Sequence, residues 1–165
     1  MLSKLQKLRD QKASDQKGFT IIEVMIVLAI AGLIILIVLL AVPALKRNGR
    51  NTALKNDVGS VTGGISTAVS NNDGSTVTTV AGAVGTGKAT VAVASGQTED
   101  IKIQAGTTVA STVAATTPVA PTSVAAGTLS VVVGQTCSLT KSARAVAVYY
   151  SIETSAGLSV KCADA

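Results

Sequence analysis

The sequence has no histidine and no tryptophan, and its aromatics amount to one Phe and two Tyr. Without histidine, the commonest general base and metal ligand at neutral pH is missing. No Ser/His/Asp or Cys/His set can be assembled, there is no CxxC, and Glu153 and Asp164 are too isolated to make an acid/base pair or a metal cage. Charged residues are 14% of the chain, and aromatics 2%, so no basic patch with interleaved aromatics exists to hold nucleic acid. Nothing here reads as an enzyme, and no cofactor is expected. The two cysteines, Cys137 and Cys162, both lie near the C-terminus.

What the chain does have is small apolar residues. The hydrophobic fraction is 47%, mostly Ala and Val together with one dense apolar run near the N-terminus. A core of Ala, Val and Thr buries little area per residue, so a head of modest intrinsic stability is expected. The formal net charge of +5 is unevenly placed. Lys4, Lys7, Arg9, Lys12 and Lys17 crowd the first 18 residues against Asp10 and Asp15. Lys46, Arg47, Arg50 and Lys55 follow the apolar run, and the remainder is close to neutral.

Residues 1–17 are polar and basic. From Phe19 the chain turns apolar, and from Val24 to Leu45 it carries no charge, a run of about 20 residues that spans a bilayer at 1.5 Å per residue. Pro43, near its outer end, is expected to kink or thin the helix. Beyond Lys46 the pattern becomes amphipathic: Leu54, Val58, Val61, Ile65 and Ala68 form one helical stripe, with Asn51, Lys55, Asn56, Asp57 and Ser60 between them. One helix over residues 19–70 follows, membrane-spanning in about 19–45 and packed on a head in its second half. Gly59, Gly63 and Gly64 weaken it locally, each by about 1 kcal/mol against Ala. Asn71-Asn72-Asp73-Gly74 is a strong stop.

Past Gly74 the helical period vanishes. Short β-branched runs lie between Gly-rich turns: Thr76–Val80, Thr90–Ala94, Asp100–Gln104, Thr107–Val113, Thr128–Val133, Ala145–Ile152 and Leu158–Cys162. An antiparallel sheet on the outer half of the helix is expected. The stretch Thr107–Thr128, made largely of Ala, Thr, Val and Pro, reads either as exposed loop or as ordered strand. Alternation places one of Tyr149 and Tyr150 toward the core and the other outward.

An even cysteine pair behind an export-type N-terminus reads as a disulfide formed in an oxidising compartment, with two unpaired buried thiols as the other reading. A Cys137–Cys162 bond would close a loop of about 25 residues, worth about 3 kcal/mol in the chain-entropy picture.

The informative segment is Lys17-Gly18-Phe19-Thr20-Ile21-Ile22-Glu23-Val24-Met25. It resembles the type III signal of type IV prepilins and of the pseudopilins of type II secretion and competence systems. The close match covers residues 12–45, and the helix-then-sheet organisation extends it loosely over the chain. The resemblance implies an α+β pilin fold, a long N-terminal helix packed on a small antiparallel head over 71–165. It implies that a prepilin peptidase removes the leader 1–18 between Gly18 and Phe19, and that the new Phe19 amine is methylated. It also implies that Glu23 pairs with the Phe19 amine of a neighbouring subunit in the filament core. An ionisable residue just inside a spanning helix is expensive and needs such a partner. The implied partners are further copies of the chain in a homopolymer, the peptidase, an assembly platform with its ATPase, and the membrane before assembly.

The function expected is that of a structural subunit. It resides first in the inner (cytoplasmic) membrane and then in an extracellular pilus of the kind that serves cell adhesion, twitching motility, DNA uptake or secretion. The alternatives are a pseudopilin of a secretion or competence system and a membrane-anchored exported binding protein. An ordinary secretory signal fits less well, because its apolar region is shorter and its cleavage site follows that region. The sequence departs from the family at Pro43, which lies a few residues later than the family's usual helix proline.

Two local motifs carry less. Gly82-Ala83-Val84-Gly85-Thr86-Gly87-Lys88 has P-loop spacing, but Ala89 stands where a magnesium-binding hydroxyl belongs, and a strand pattern follows where a helix should start. It reads as a Gly-rich turn. Glu99-Asp100 reads as a solvated turn in preference to a calcium ligand pair.

Overall fold

The computed structural model of the chain describes residues 18–104, 106–113 and 117–165, so the basic leader lies outside the described residues apart from Gly18. The chain divides after Ala44 into two compact units. A single helix, α1 (Ile21–Asn71), contributes to both, and it continues through Pro43.

In the first unit the surface of α1 is apolar apart from Glu23, and no described residue covers it; Ile21 is 82% exposed and Leu40 74%. It is the one helix among the described residues long and apolar enough to cross a membrane.

In the second unit α1 is amphipathic. Leu54, Val58, Val61, Ile65 and Ala68 are all buried, as the stripe requires. Asp57, which the sequence places among the solvent-facing residues, is buried with them at 3% exposure. Its carboxylate is satisfied there: Oδ1 accepts the Gln104 N–H at 3.0 Å, and Oδ2 accepts the Thr107 hydroxyl. Two donors offset the cost of taking this side chain out of water.

The helix stops where the Asn-Asn-Asp-Gly run predicts. Asp73 and Gly74 take left-handed φ values of 51° and 74°, the Gly74 N–H returns to the Val69 carbonyl at 2.9 Å, and Asn72 Nδ2 donates to the Ala68 carbonyl at 2.8 Å. The Arg144 guanidinium lies over Gly74, where a Cβ would stand 3.4 Å from Cζ. It supplies the positive charge that the last helical turn itself lacks.

Among the described residues seven strands follow, in two sheets rather than the one expected. The first is antiparallel in the order β1 (Val77–Ala81), β2 (Lys88–Val93), β3 (Thr98–Lys102). The second has the order β4 (Thr108–Val113), β5 (Thr128–Gln135), β6 (Lys141–Thr154), β7 (Gly157–Asp164). Within it β5–β6 and β6–β7 are antiparallel, but β4 and β5 are parallel, with Thr108 opposite Thr128. The Ala/Thr/Pro-rich stretch explains this. A parallel pair needs a crossover of a dozen or more residues, and the segment between Val113 and Thr128 supplies it, so Thr107–Thr128 divides between strand and connection. Gly82 and Val109 join the two sheets through reciprocal backbone hydrogen bonds of 2.8 and 2.9 Å. Gly82 has no space for a side chain, since a Cβ would lie 2.8 Å from the Lys88 carbonyl oxygen.

Both faces of the second sheet are covered. Leu129, Val131, Val146 and Val148 join the helix stripe in the main core, with Tyr150 packed at its margin. On the opposite face Tyr149, Val132 and Ala147 meet Val124 from the crossover, with Ala120, Val160 and the two cysteines alongside. Alternation does separate the tyrosines, but the outward ring, Tyr149, is the more buried, at 2% exposure, because the crossover lies over it. Gln135, fully buried beside it, donates through Nε2 to the Tyr149 hydroxyl at 3.1 Å and to the Val119 carbonyl at 3.3 Å, tying crossover to sheet.

Candidate functional site

The start of α1 is built by its own sequence. Thr20 and Glu23 form a reciprocal cap: the Glu23 N–H donates to the Thr20 hydroxyl oxygen at 3.3 Å, while Glu23 Oε2 accepts the Thr20 N–H at 3.3 Å and its hydroxyl at 3.1 Å. This is a capping box, and it places a carboxylate in the first turn, where the helix dipole favours negative charge. Thr-x-x-Glu ahead of an apolar run is its sequence signal, carried by residues 20–23. Immediately before the cap stand Gly18 and Phe19, both outside the helix and exposed, with Phe19 at 86%. The peptide bond between them lies in accessible, non-helical backbone. Gly18, Phe19 and Glu23 therefore sit together at one exposed helix terminus, with Val24, Val27 and Leu28 forming a shallow apolar depression beside Phe19 and Glu23.

A second cluster fixes the base of the head. Arg50 forks onto Glu153 at the end of β6, with Nε donating to Oε1 at 2.8 Å and Nη2 to Oε2. Asn51 pairs with the backbone of the same residue in both directions at 2.8 Å. The Arg50 hydrogen bond is the main cause that holds the Glu153 carboxyl below the usual range; partial burial opposes it, and the charges of Arg50 and Arg47 add to it. The same contact raises Arg50 further above neutrality. Sequence spacing gives no sign of a contact between residues about a hundred apart.

The remaining candidates separate cleanly. Gly82–Lys88 forms the turn between β1 and β2, with Gly85 and Gly87 at φ 88° and 65°. Lys88 opens β2 and its Nζ lies 3.0 Å from Asp100, so the P-loop spacing is a hairpin. Asp100 also accepts the Thr90 hydroxyl, and the two hydrogen bonds, that from Lys88 first, hold its carboxyl below the usual range. Among the described residues no group of three or more His, Cys, Asp or Glu is placed to hold a metal. Cys137 and Cys162 stand at disulfide distance, Cα atoms 5.8 Å apart, between the β5–β6 turn and β7.

The family described as the prokaryotic N-terminal methylation motif matches residues 13–39. That motif is the signature of type IV prepilins, and it spans Gly18, Phe19, the capping box and most of the exposed apolar helix. The match supports a type IV pilin-like or pseudopilin precursor, and the long N-terminal helix packed against β-sheets makes the fold α+β. The pilin-like family that carries this motif is structural, not enzymatic. No curated protein and no solved structure matches the chain.

Proposed function

We propose that the chain is a structural subunit of a type IV pilus. A prepilin peptidase cuts between Gly18 and Phe19, the Phe19 amine is methylated, and subunits are drawn from the cytoplasmic membrane by an ATP-driven assembly platform into an extracellular homopolymer. The observation that carries this reading is the surface of α1 from Ile21 to Leu45. It is apolar apart from Glu23, and no described residue covers it. Such a surface is stable only in lipid or against other apolar helices, and a polymer supplies the second cover when the subunit leaves the first.

Glu23 supports the same reading. All three side-chain contacts of the cap use Oε2 and the Thr20 hydroxyl. Oε1 is the oxygen we assign to the Phe19 amine of a neighbouring copy. In the low dielectric of a helix core each unpaired ion carries a desolvation cost of several kcal/mol, so a subunit docked one step out of register is rejected. The Cys137–Cys162 bond, formed after export, fastens the β5–β6 turn to the edge strand β7.

The test is the intact mass and N-terminal sequence of the protein in material sheared from the cell surface. A start at Phe19 in a filamentous fraction supports processing and polymerisation together. A start at Phe19 found only in membranes favours a pseudopilin, and an uncut chain defeats the pilin reading.

A further inference from the structure

Lys46 and Arg47 follow Leu45, the last residue of the apolar run, without a break in α1. The 25 residues from Ile21 to Leu45 rise about 37 Å, enough to cross the roughly 30 Å hydrocarbon core and enter the interfacial layer beyond it. The next helical turn therefore stands among lipid headgroups while the subunit is in the membrane. In the orientation proposed above this is the exported side, whereas Lys and Arg beside spanning helices concentrate on the cytoplasmic side. Cations in this place need a reason.

The head uses some of its cations internally. Arg50 is committed to Glu153, and Lys88 to Asp100. Lys46 is exposed and Arg47 half-exposed, and neither forms an ion pair among the described residues. Arg50 is braced toward β6, and Arg47 acts on Glu153 only at longer range, so Lys46 and Arg47 are the cations after the span that no ion pair among the described residues engages.

We propose that Lys46 and Arg47 form a docking surface for the phosphate groups of anionic phospholipid in the leaflet beneath the head. The inference rests on the membrane-spanning reading of α1. Charge complementarity and continuity with the span argue for this occupant: the two cations are fixed at headgroup depth by the helix that carries them. An anionic surface strengthens attachment by about fivefold per basic residue near it, and the effect fades within about 8 Å in physiological salt. Lys55, nine residues further along α1, stands about 13 Å beyond Lys46 and lies outside that range. Docking would set the depth and tilt at which the waiting subunit meets the assembly machine, and would make its extraction dependent on lipid charge.

The test uses the full-length chain in phosphatidylcholine vesicles doped with spin-labelled phosphatidylglycerol or phosphatidylcholine. The fraction of each label immobilised by the protein gives the lipid preference. The wild type is expected to favour phosphatidylglycerol severalfold more than a Lys46→Gln/Arg47→Gln variant does, with the excess lost in high salt and Lys55→Gln matching the wild type. The basic leader is common to all three chains, so the difference reports residues 46 and 47 alone. Equal preference in wild type and double variant overturns the proposal and leaves these cations to a carboxylate of a second copy. An equal loss from Lys55→Gln also overturns it, by showing non-specific attraction. Release of the wild type by alkaline carbonate is a different failure, since it removes the spanning reading itself.

Discussion

Gly64 on α1 faces Ile101 on β3 with no room for a methyl group: a Cβ there would stand 2.3 Å from Ile101 Cδ1 and 2.4 Å from Cγ1. The neighbouring Gly59 and Gly63 have nothing within 4 Å of the same position. Three glycines that look alike in sequence therefore differ in kind. Gly64→Ala forces Ile101 off its site, at about 1–3 kcal/mol for overpacking, against a helix-propensity gain of at most about 1 kcal/mol. Gly63→Ala collects the gain without the clash. In urea unfolding of the full-length chain in detergent, the midpoint is expected to fall for Gly64→Ala and to rise for Gly63→Ala. A rise for both would mean that Ile101 repacks freely.

Asp57 gives a second stability prediction. Asp57→Ala leaves the Gln104 N–H and the Thr107 hydroxyl without their acceptor next to the main core. An orphaned buried donor costs about 1–3 kcal/mol. The loss is expected together with faster hydrogen exchange at the Gln104 amide, and normal exchange there would show that Asp57 is not its acceptor in solution.

These two residues also mark where the sequence stops being legible. The positions of the long helix and all seven strands follow from local signals: the 54-58-61-65-68 stripe, the Asn-Asn-Asp-Gly stop and the alternation at Ile101 and Ile103. The exposed apolar helix and the processing motif were readable for the same reason, since each is a contiguous run. What escaped depends on distant partners. Asp57 reads as a surface residue until Gln104 and Thr107 fold over it. Gly64 reads as a weak point until Ile101 arrives, and β4 reads as one more antiparallel strand until its crossover is counted. The capping role of Thr20 is different in kind, because its signal lies within the four residues Thr20–Glu23.

Acid should weaken the head through two carboxylates. Arg50 holds Glu153, and Lys88 with Thr90 holds Asp100, below their ordinary values. A group whose folded value is depressed stabilises the fold fully above its unfolded value, about 4 for a carboxyl, and loses that contribution as pH falls through the lowered folded value. A Glu153→Gln/Asp100→Asn variant is therefore expected to be less stable than the wild type at pH 7 and to approach it below about pH 4. The Lys88–Asp100 pair is exposed and Glu153 only half-buried, so the effect is small and shrinks in salt. A gap of constant size from pH 7 to pH 3 would show that the pairs are not electrostatic in origin.

The two residues of the capping box allow its local role to be separated from assembly. Thr20→Ala removes the hydroxyl from the cap and costs about 1 kcal/mol of order at the first turn of α1, yet leaves the Glu23 carboxylate for a neighbour's amine. Glu23→Gln keeps a side chain able to cap through its amide oxygen but removes the charge. If Glu23 serves only its own helix, Thr20→Ala should impair filament yield at least as much as Glu23→Gln. If it pairs with the Phe19 amine of the next copy, Thr20→Ala should assemble nearly normally, and Glu23→Gln should be inserted and cleaved after Gly18 yet remain in the membrane. Comparing cleaved protein in the membrane and sheared fractions of the two variants decides between these, because both roles leave the peptide bond at Gly18 open to cleavage.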